Sequence, residues 1–443
     1  MSGNLLADFV AGLSHKGFNF LSRTRVETRR DIVSLCDSLL SGRGEISCFV
    51  IAEAIFMQWE TLDREQRREC LIALARRFAP DAKAILEQMK AVEKAPSSEN
   101  LYRLHTISEP RLQELIRRLN HARNGTHRLV QMREVVLDVL SSDESLSGLD
   151  RDFVHLFTSW FNRGFLQLKP ISWSTSASVL EKVIRYEAVH AITDWDELRR
   201  RIEPEDRRLF AFFHQQMSDE PLIFVEVALT KGIPGSITDV LRPERSIVAR
   251  DEATTAVFYS ISNCQKGLRG ISFGNFLIKQ VVEELRKELP NLNTFVTLSP
   301  VPDFARWLNT LRADPEQSII PAHELALLAK ADVEGWQNDP DVVRELSPVL
   351  RRLAARYFTQ ARNRQNRPFD SVARFHLGNG ASLEDIHAMA DVSPKGLASS
   401  YGLMVNYLYK TAEIETNHEN YAETGTITIS GRLKTLLKTV SAK

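Results

Sequence analysis

The sequence predicts an α+β protein in which an N-terminal all-helical bundle precedes a mixed β-sheet domain with helical insertions. Apolar residues recur at helical spacing through the first 165 residues. After about residue 220, runs of β-branched and aromatic residues alternate with helical patterns. A glycine-rich turn joins one of these strands directly to a helix. The 443 residues are enough for more than one domain, and we place the division at 1–165 and 166–443.

The N-terminal part reads as a series of amphipathic helices. Apolar spacing predicts helices over Arg30–Leu40, Arg64–Phe78, Ser108–Leu119, Leu129–Leu140 and Asp152–Phe161. Breaks and polar linkers are expected at Lys94–Ser98, Asn124–Thr126 and Ser141–Gly148. The histidines of this part are not spaced as metal ligands, and no catalytic pattern is found in it. Its wide apolar stripes suit self-association.

The second part alternates helices and strands around one predicted sheet. Helices are expected over Ala177–Ala188, from Trp195 onward and over Asn275–Leu285, and strands over Pro221–Leu229, Thr255–Ser262 and Thr294–Ser299. Three further helical stretches, expected as insertions packed on the sheet, are Phe304–Leu311, His323–Lys330 and Asp341–Tyr357. The charge run Arg199–Arg201 is typical of a solvated helix face.

Composition excludes several classes of protein. Lys+Arg and Asp+Glu both number 57, and this balance argues against nucleic acid as the main partner. The four cysteines lack zinc-site or disulfide spacing, which favours a reducing compartment and predicts no metal site. No apolar run approaches the ~18 residues of a membrane span. Since the N-terminus lacks a secretory pattern and Ser441–Lys443 is not a peroxisomal signal, we expect a cytoplasmic protein.

The segment Asn263–Gly274 has the composition of a phosphate-binding turn. It carries three glycines and two cations, Lys266 and Arg269, between a strand and a helix start. Free backbone N–H groups and the helix dipole attract anions at such a place, and glycines let the backbone approach them. The spacing fits neither the P-loop nor the dinucleotide fingerprint. It resembles the pyrophosphate loop of the acetyltransferase-type (GNAT) fold. The alternative is that the glycines only close a turn.

Several sequence blocks, in order, extend this resemblance to about residues 165–420. They are Tyr186–His190, Glu220–Thr230, Gly267–Gly270, Phe276–Lys279, Leu298–Phe304, Phe375–Ala381, Asn406–Tyr409 and Ile414–Glu419. In these blocks the chain resembles the malonyl-CoA decarboxylase family. The family pairs a helical oligomerisation domain with a catalytic domain of acetyltransferase fold, and it releases CO₂ from malonyl-CoA to leave acetyl-CoA.

The resemblance also implies particular site residues and partners. The catalytic pair falls on Ser299 and His376, both of which would also contact the substrate. The segment that binds coenzyme A comprises Arg269, Gly270, Ile271, Ser272, Phe273, Gly274 and Asn275. Malonyl-CoA would be the substrate, acetyl-CoA the product, and no metal or prosthetic group is expected. The family suggests a homotetramer, a dimer of dimers assembled through the N-terminal helices. Because Ser441–Lys443 differs from the peroxisomal C-terminus of animal members, the resemblance implies a cytoplasmic enzyme of bacterial type.

The chemistry suits these residue types. Loss of CO₂ from a malonyl thioester leaves an enolate, which preorganised donors in a water-poor site would stabilise. A proton must then reach the α-carbon, and histidine titrates in the required range. We expect Ser299 to orient the carboxylate or thioester. We expect His376, as an imidazolium or bonded to Ser299, to supply the proton, with donor and acceptor within the pair left open.

Other residues and other functions are less favoured. Tyr401, Tyr407 and Tyr409 are expected to serve core or coenzyme A packing, although a phenol near the site is an alternative. Asn379 is a candidate to orient His376 or bind substrate. The polar candidates for a pocket wall are Glu187 and Glu226, and Arg185, Tyr186 and His190 form a polar cluster beside Glu187. The competing functions are an acyl-CoA N-acyltransferase, which needs an amine acceptor, and a non-catalytic coenzyme A sensor.

Overall fold

The structure is a computed structural model that describes residues 31–41, 44–140, 142–271, 273, 277–313 and 320–438. Its contacts group into two compact units. The first unit contains the described part of Met1–Leu166 together with His214–Ser218 and Gln265–Phe273. The second contains Gln167–Phe213, Asp219–Cys264 and the described part of Gly274–Lys443. The helical predictions for residues 1–30 lie outside the described residues.

The first unit is helical. Its helices are α1 Ile32–Leu40, α2 Glu45–Thr61, α3 Arg64–Arg77, α4 Ala82–Lys94, α5 Ser98–Ser108, α6 Arg111–Leu119, α7 Gly125–Leu140 and α8 Ser147–Trp160. Their starts follow local chemistry: Asp63 and Gln66 form a reciprocal capping box at the start of α3. The core is made by one apolar face of each central helix, with Leu71, Leu115 and Phe153 all buried.

Of two predicted breaks in this unit, the one at Lys94–Ser98 is confirmed, since α4 ends at Lys94 and α5 begins at Ser98. The Ser97 hydroxyl accepts from the Asn100 N–H and caps the start of α5. The sequence at Asn124–Gly125 begins α7 rather than only ending α6. A Cβ at Gly125 would lie 2.6 Å from the Asn120 carbonyl oxygen, so glycine is required for this tight turn.

The second unit is built on one mixed sheet. The strands are β1 Leu166–Ile171, β2 Arg207–His214, β3 Met217–Thr230, β4 Thr255–Asn263, β5 Thr294–Thr297, β6 Ser299–Pro300, β7 Ser382–His387 and β8 Met404–Leu408. Their order is β1-β2-β3-β4-β5-β8-β6, and β7 pairs with β8. The pair β4 and β5 is parallel, whereas β3/β4, β5/β8, β6/β8 and β7/β8 are antiparallel. The α+β prediction, helices followed by a mixed sheet, is therefore confirmed.

The connections of the sheet are mostly helical. These helices are α9 Ala177–Tyr186, α10 Trp195–Ile202, α11 Ile237–Leu241, α12 Leu277–Glu288, α13 Phe304–Ala313, α14 Ala322–Ala329, α15 Pro340–Gln360, α16 Ser371–Gly378, α17 Pro394–Ser400, α18 Ile414–Thr424 and α19 Gly431–Lys438. One apolar cluster joins α9 and α10 to β2 and β3 through residues such as Val183, Leu198 and Phe224. A second contains Val257 of β4, Val296 of β5 and Met404 of β8.

The charge run on α10 is not fully solvated, contrary to the expectation for Arg199–Arg201. Arg201 is buried and pairs with Glu226 of β3 at 3.0 Å and with Glu197 at 2.7 Å. Arg199 remains on the exposed side of the helix. Because 3.6 residues make one turn, three consecutive arginines cannot share one face, and Arg201 falls on the side that packs against the sheet.

Candidate active site

Strands β4 and β5 part in the middle of the sheet. Their parallel register runs from Thr255 opposite Thr294 to Phe258 opposite Thr297, and β4 then continues to Asn263. A bulge at Tyr259 coincides with this point, since the β3 register shifts there. Bulges bend a strand and are common beside active sites. The arrangement of strand, glycine-rich turn, helix and parallel strand is the one that the acetyltransferase resemblance implies.

Ser299 lies just after β5, where this part of the chain stops pairing with β4. The Leu298 N–H still donates to the Phe258 carbonyl, but Ser299 already pairs with Val405 of β8. The Ser299 hydroxyl donates to Thr297 Oγ1 at 2.9 Å and lies 3.2 Å from His376 Nε2. It is buried, with 5% of its surface exposed. The structure thus brings together the two residues predicted as the catalytic pair.

His376 is held on α16 by contacts on every side of its ring. Its Nδ1 lies 2.8 Å from the Tyr409 hydroxyl, opposite the nitrogen that meets Ser299. The Tyr407 ring stacks on the imidazole with centroids 4.6 Å apart. The helix begins at Asp370, whose side chain accepts from the Ala373 N–H. These contacts fix the orientation of the imidazole before any substrate arrives.

The resting His376 is neutral. With 3% of its surface exposed, burial lowers its pKa to about 3, since no carboxylate compensates for the lost hydration. Burial also raises the pKa of the Tyr409 phenol, which therefore keeps its proton. One consistent network has Tyr409 donating to Nδ1, Nε2–H donating to Ser299, and Ser299 donating to Thr297. Of the two forms expected for His376, burial favours the neutral ring bonded to Ser299.

The C-terminal end of α16 is anchored by α18. The Asn417 amide donates to the Gly380 carbonyl at 3.3 Å, and His418 Nδ1 lies 2.7 Å from the Gly378 carbonyl. Gly380 has φ +83°, and a Cβ there would lie 2.1 Å from the Ile414 carbonyl oxygen. The sequence block Ile414–Glu419 therefore contributes to the position of His376 through the end of its helix.

The glycine-rich segment is described in part, and its residues from Gln265 to Phe273 belong to the first unit. Ser272, Gly274 and Asn275 lie outside the described residues. Within that unit, the buried Arg133 side chain donates to the carbonyls of Gly267 and Arg269 at 2.7 and 2.9 Å. A Cβ at Gly267 would lie 1.9 Å from the Val130 carbonyl oxygen of α7. Gly267 is therefore needed for close packing of the backbone on α7.

Gly270 has a different reason to be glycine. Its φ is +82°, yet a Cβ built there meets no described atom within 4 Å. The left-handed backbone, rather than crowding, requires glycine at this position. Its neighbour Arg269 is exposed, and Ile271 is buried. An open left-handed turn beside an exposed guanidinium is compatible with the predicted phosphate contact.

The remaining candidate residues lie in the second unit and have polar partners other than Ser299 and His376. The Tyr401 hydroxyl donates to Asn309 and accepts from Arg312. The Asn379 amide donates to the Phe375 carbonyl, and its Oδ1 is buried without a partner among the described residues. Glu187 accepts from the hydroxyls of Ser260 and Ser262, and the fully buried Glu226 pairs with Arg201. His190 is half-buried, and burial lowers its pKa to about 4.

Family models match most of the chain. A model described as the malonyl-CoA decarboxylase C-terminal domain matches residues 164–443, and one described as the N-terminal domain matches residues 78–161. The chain belongs to the malonyl-CoA decarboxylase family. The expectation drawn from the sequence blocks is confirmed at this level.

Individual members of the malonyl-CoA decarboxylase family are similar over nearly the whole chain. The crystal structure of malonyl-CoA decarboxylase from Rhodopseudomonas palustris shares 51% identity, covers 91% of this chain and 98% of that one, and gives a TM-score of 0.88. That from Cupriavidus metallidurans shares 33% identity over 94% and 100%, with a TM-score of 0.71. The mitochondrial malonyl-CoA decarboxylase of Mus musculus is 34% identical over 408 residues, 85% of this chain and 82% of that protein.

Two groups that contact the Ser299–His376 pair were given too little weight in the predictions from sequence. Tyr409 was expected to serve packing, but its hydroxyl meets His376. Thr297 was not singled out, although its hydroxyl accepts from Ser299 and from the Tyr407 N–H. Thr297 and Ser299 are two residues apart, so alternation along an extended chain could have predicted a shared side. Nothing local in the sequence places Tyr409 beside a residue 33 positions earlier.

Among the described residues, no group of three or more His, Cys, Asp or Glu side chains is placed to hold a metal ion. In the same part of the chain, no helix has the length and apolar character needed to cross a membrane.

Proposed function

We propose that this protein converts malonyl-CoA to acetyl-CoA and CO₂ at the Ser299–His376 pair. The observation that carries the proposal is the 3.2 Å approach of Ser299 Oγ to His376 Nε2 where β4 and β5 part. A buried histidine hydrogen-bonded to a serine suits proton delivery to carbon in a water-poor site, provided that a bound anion first favours protonation of the ring. Membership of the family supports the substrate assignment.

The reaction needs one proton and one place for negative charge. The bond between the α-carbon and the carboxylate breaks, CO₂ leaves, and the electron pair moves onto the thioester as an enolate. One proton then adds to the α-carbon and gives acetyl-CoA. Ser299 would orient the malonyl carboxylate or donate to the thioester oxygen. His376 would deliver the proton, with Tyr409 holding its second nitrogen.

The substrate itself would adjust the protonation of His376. No carboxyl group among the described residues bonds the imidazole in the free site, and the pKa of His376 there is about 3. A malonyl carboxylate or enolate beside the ring adds an opposite charge in a low-dielectric site, which favours the imidazolium. The proton would therefore be acquired with the substrate. No metal or prosthetic group takes part in the proposed steps.

We propose that coenzyme A is bound by the segment Arg269, Gly270, Ile271, Ser272, Phe273, Gly274 and Asn275. Backbone N–H groups and the Arg269 side chain would hold the diphosphate of coenzyme A. The open left-handed turn at Gly270 and the exposed guanidinium support it. Replacement Arg269→Gln should weaken CoA binding about tenfold, because one charge-assisted contact is lost. Lys287→Gln, which changes an exposed lysine of α12, is the matched control.

The domain division at 1–165 and 166–443 and the role of the helical part are also proposals. We infer that the N-terminal helices join copies of the chain into a tetramer, a dimer of dimers, in the cytoplasm. Exposed apolar side chains on the α4–α5 hairpin support an interface: Leu86, Met89, Leu101 and Tyr102. Light scattering should give the mass of four chains, whereas a monomer at working concentration would contradict the assembly.

The decisive experiment for the activity uses malonyl-CoA as the sole substrate in D₂O. The expected product is acetyl-CoA with one deuterium in its methyl group, detected by mass spectrometry. A folded, CoA-binding protein that yields no acetyl-CoA would overturn the proposal. An N-acyltransferase would instead consume an acyl-CoA only after an amine acceptor is added.

A further inference from the structure

A cavity of about 300 Å³ in the second unit is surrounded mainly by arginine side chains. Its charged lining comprises Glu197, Arg200, Arg201, Arg207, Arg242 and Arg245. It lies at the sheet end where β2 and β4 begin, because the Leu229 N–H donates to the Asp206 carbonyl and Thr230 pairs with Thr255. We call it the arginine cavity.

The guanidinium groups of the arginine cavity have few carboxylates in direct contact. Four carboxylates form the ion pairs of these five groups: Glu197, Glu226, Asp206 and Asp239. One of these, Asp206, is shared by Arg207 and Arg245 at 3.3 and 2.6 Å. Arg200 lines the cavity, is exposed and takes part in none of these ion pairs, although the charge of Asp194 lies close enough to act on it. Guanidinium groups that converge on one cavity with few direct counter-charges favour the binding of a further anion.

Arg245 gives an independent indication of a missing partner. One of its terminal nitrogens donates to Asp206 at 2.6 Å, but its Nε is buried and meets no acceptor in the described part of the chain. Buried N–H groups without a partner are rare in folded proteins. A guanidinium that uses one edge for a carboxylate and leaves Nε free can bind an oxyanion through that N–H.

From these observations we propose that the arginine cavity binds a small phosphate-bearing anion, separately from malonyl-CoA. A tetrahedral oxyanion presents several acceptors to converging guanidinium groups. The volume of about 300 Å³ suits a compact molecule. The lining contains no aromatic ring on which a nucleobase could stack. The inference does not depend on the proposed catalytic reaction.

The arginine cavity is distinct from the Ser299–His376 pair but structurally connected to it. Thr294 lies beside the start of β4, at the same end of the sheet as the cavity. It precedes Ser299 by five residues, which is about 16 Å along an extended strand. Arg201 lines the cavity and pairs with Glu226, whose β4 partner is Ser260. Ser260 adjoins the bulge at Tyr259 where the strands part. An anion on Arg201 would therefore be linked, through Glu226 and Ser260, to the strand pair that shapes the site.

The test is equilibrium dialysis of the full chain against radiolabelled inorganic phosphate, with saturating CoA present to occupy the cofactor segment. We expect one phosphate per chain. Arg200→Gln and Arg245→Gln should each weaken phosphate binding tenfold or more, because each removes a charged donor. Arg199→Gln is the matched control, since Arg199 lies on the same helix but pairs outward with Glu203.

Arg200 is exposed, so Arg200→Gln tests the site even if Arg245→Gln folds poorly. Circular dichroism of each variant checks the fold. Absence of bound phosphate, or equal binding by Arg199→Gln and Arg200→Gln, would overturn the proposal. In that case the arginines would serve only the internal charge balance of α10, β2 and the segment after α11.

Discussion

Two buried polar clusters of the same sheet differ in charge. His376 is surrounded by Ser299, Tyr409 and Tyr407, and burial lowers its pKa to about 3, with no carboxylate among the described residues to oppose the shift. Glu226 is buried as completely, and burial raises its pKa to about 7, but Arg201 opposes that shift from 3.0 Å. Both groups were candidates for the site from sequence.

The difference separates a group that can react from one that is structural. A buried ion pair already has its counter-charge, so a substrate can change little there without breaking it. A buried neutral histidine has no counter-charge, so a bound carboxylate can change its protonation state by a large amount. The missing counter-charge, more than burial itself, is therefore why we propose His376, and not Glu226, as the reactive group.

The largest expected effect follows from replacing His376. His376→Asn should lower turnover by about 10²–10⁴-fold, the range for loss of a general acid, while CoA affinity stays nearly unchanged. Turnover by mass spectrometry and CoA binding by calorimetry check the two halves of this statement. His323→Asn, an exposed histidine, is the control. Equal loss of binding and turnover would assign His376 a structural role.

The reverse pattern is expected for the ion pair. Arg201→Met should lower the free energy of unfolding by about 3–5 kcal/mol, because Glu226 is left buried without its partner. Turnover per folded molecule should remain close to that of the parent. Denaturant titration and active-site-normalised rates measure both. Arg199→Met should cost less than about 1 kcal/mol. A stable but inactive Arg201→Met would break the contrast drawn between the clusters.

A smaller effect is expected from the tyrosine that holds the second nitrogen of His376. Tyr409→Phe removes the hydroxyl at 2.8 Å and should lower kcat about tenfold, equivalent to about 1.4 kcal/mol. The imidazole would keep its bond to Ser299, so CoA binding should persist. Tyr401→Phe is the matched control, since its hydroxyl bonds Asn309 instead. Identical kcat values for the two variants would remove Tyr409 from the network.

The most gradual effect is on stability against pH. The unfolded chain binds a proton at His376 near pH 6.5, but the folded chain does so only near pH 3. The contribution of His376 to the free energy of unfolding is therefore fully present above pH 6.5. It falls as the pH drops, by up to about 1.4 kcal/mol per pH unit. His376→Asn should show a shallower fall between pH 6.5 and 4. Parallel curves from denaturant titrations of parent and variant would show that His376 is not buried neutral.

Local patterns predicted much of the framework and some of the site. Strands β3, β4 and β5 were found from β-branched runs, whereas β2 was not identified, although its residues from Leu209 to Phe213 are apolar. The short β7 and β8 pair across about 20 residues, which no local window reveals. Ser299 and His376 were predicted through family motifs, because serine before proline and histidine between apolar residues are each unremarkable.

The sequence by itself determined the helical and mixed-sheet parts, the family, and the identity of the catalytic candidates. Periodicity and motifs are properties of neighbouring residues, so they can be read along the chain. Only the tertiary structure decided that Arg201 is buried, that Tyr409 holds His376, and that His376 is neutral. Protonation and charge balance depend on groups brought together from distant positions, and their energies are set by burial that no single segment contains.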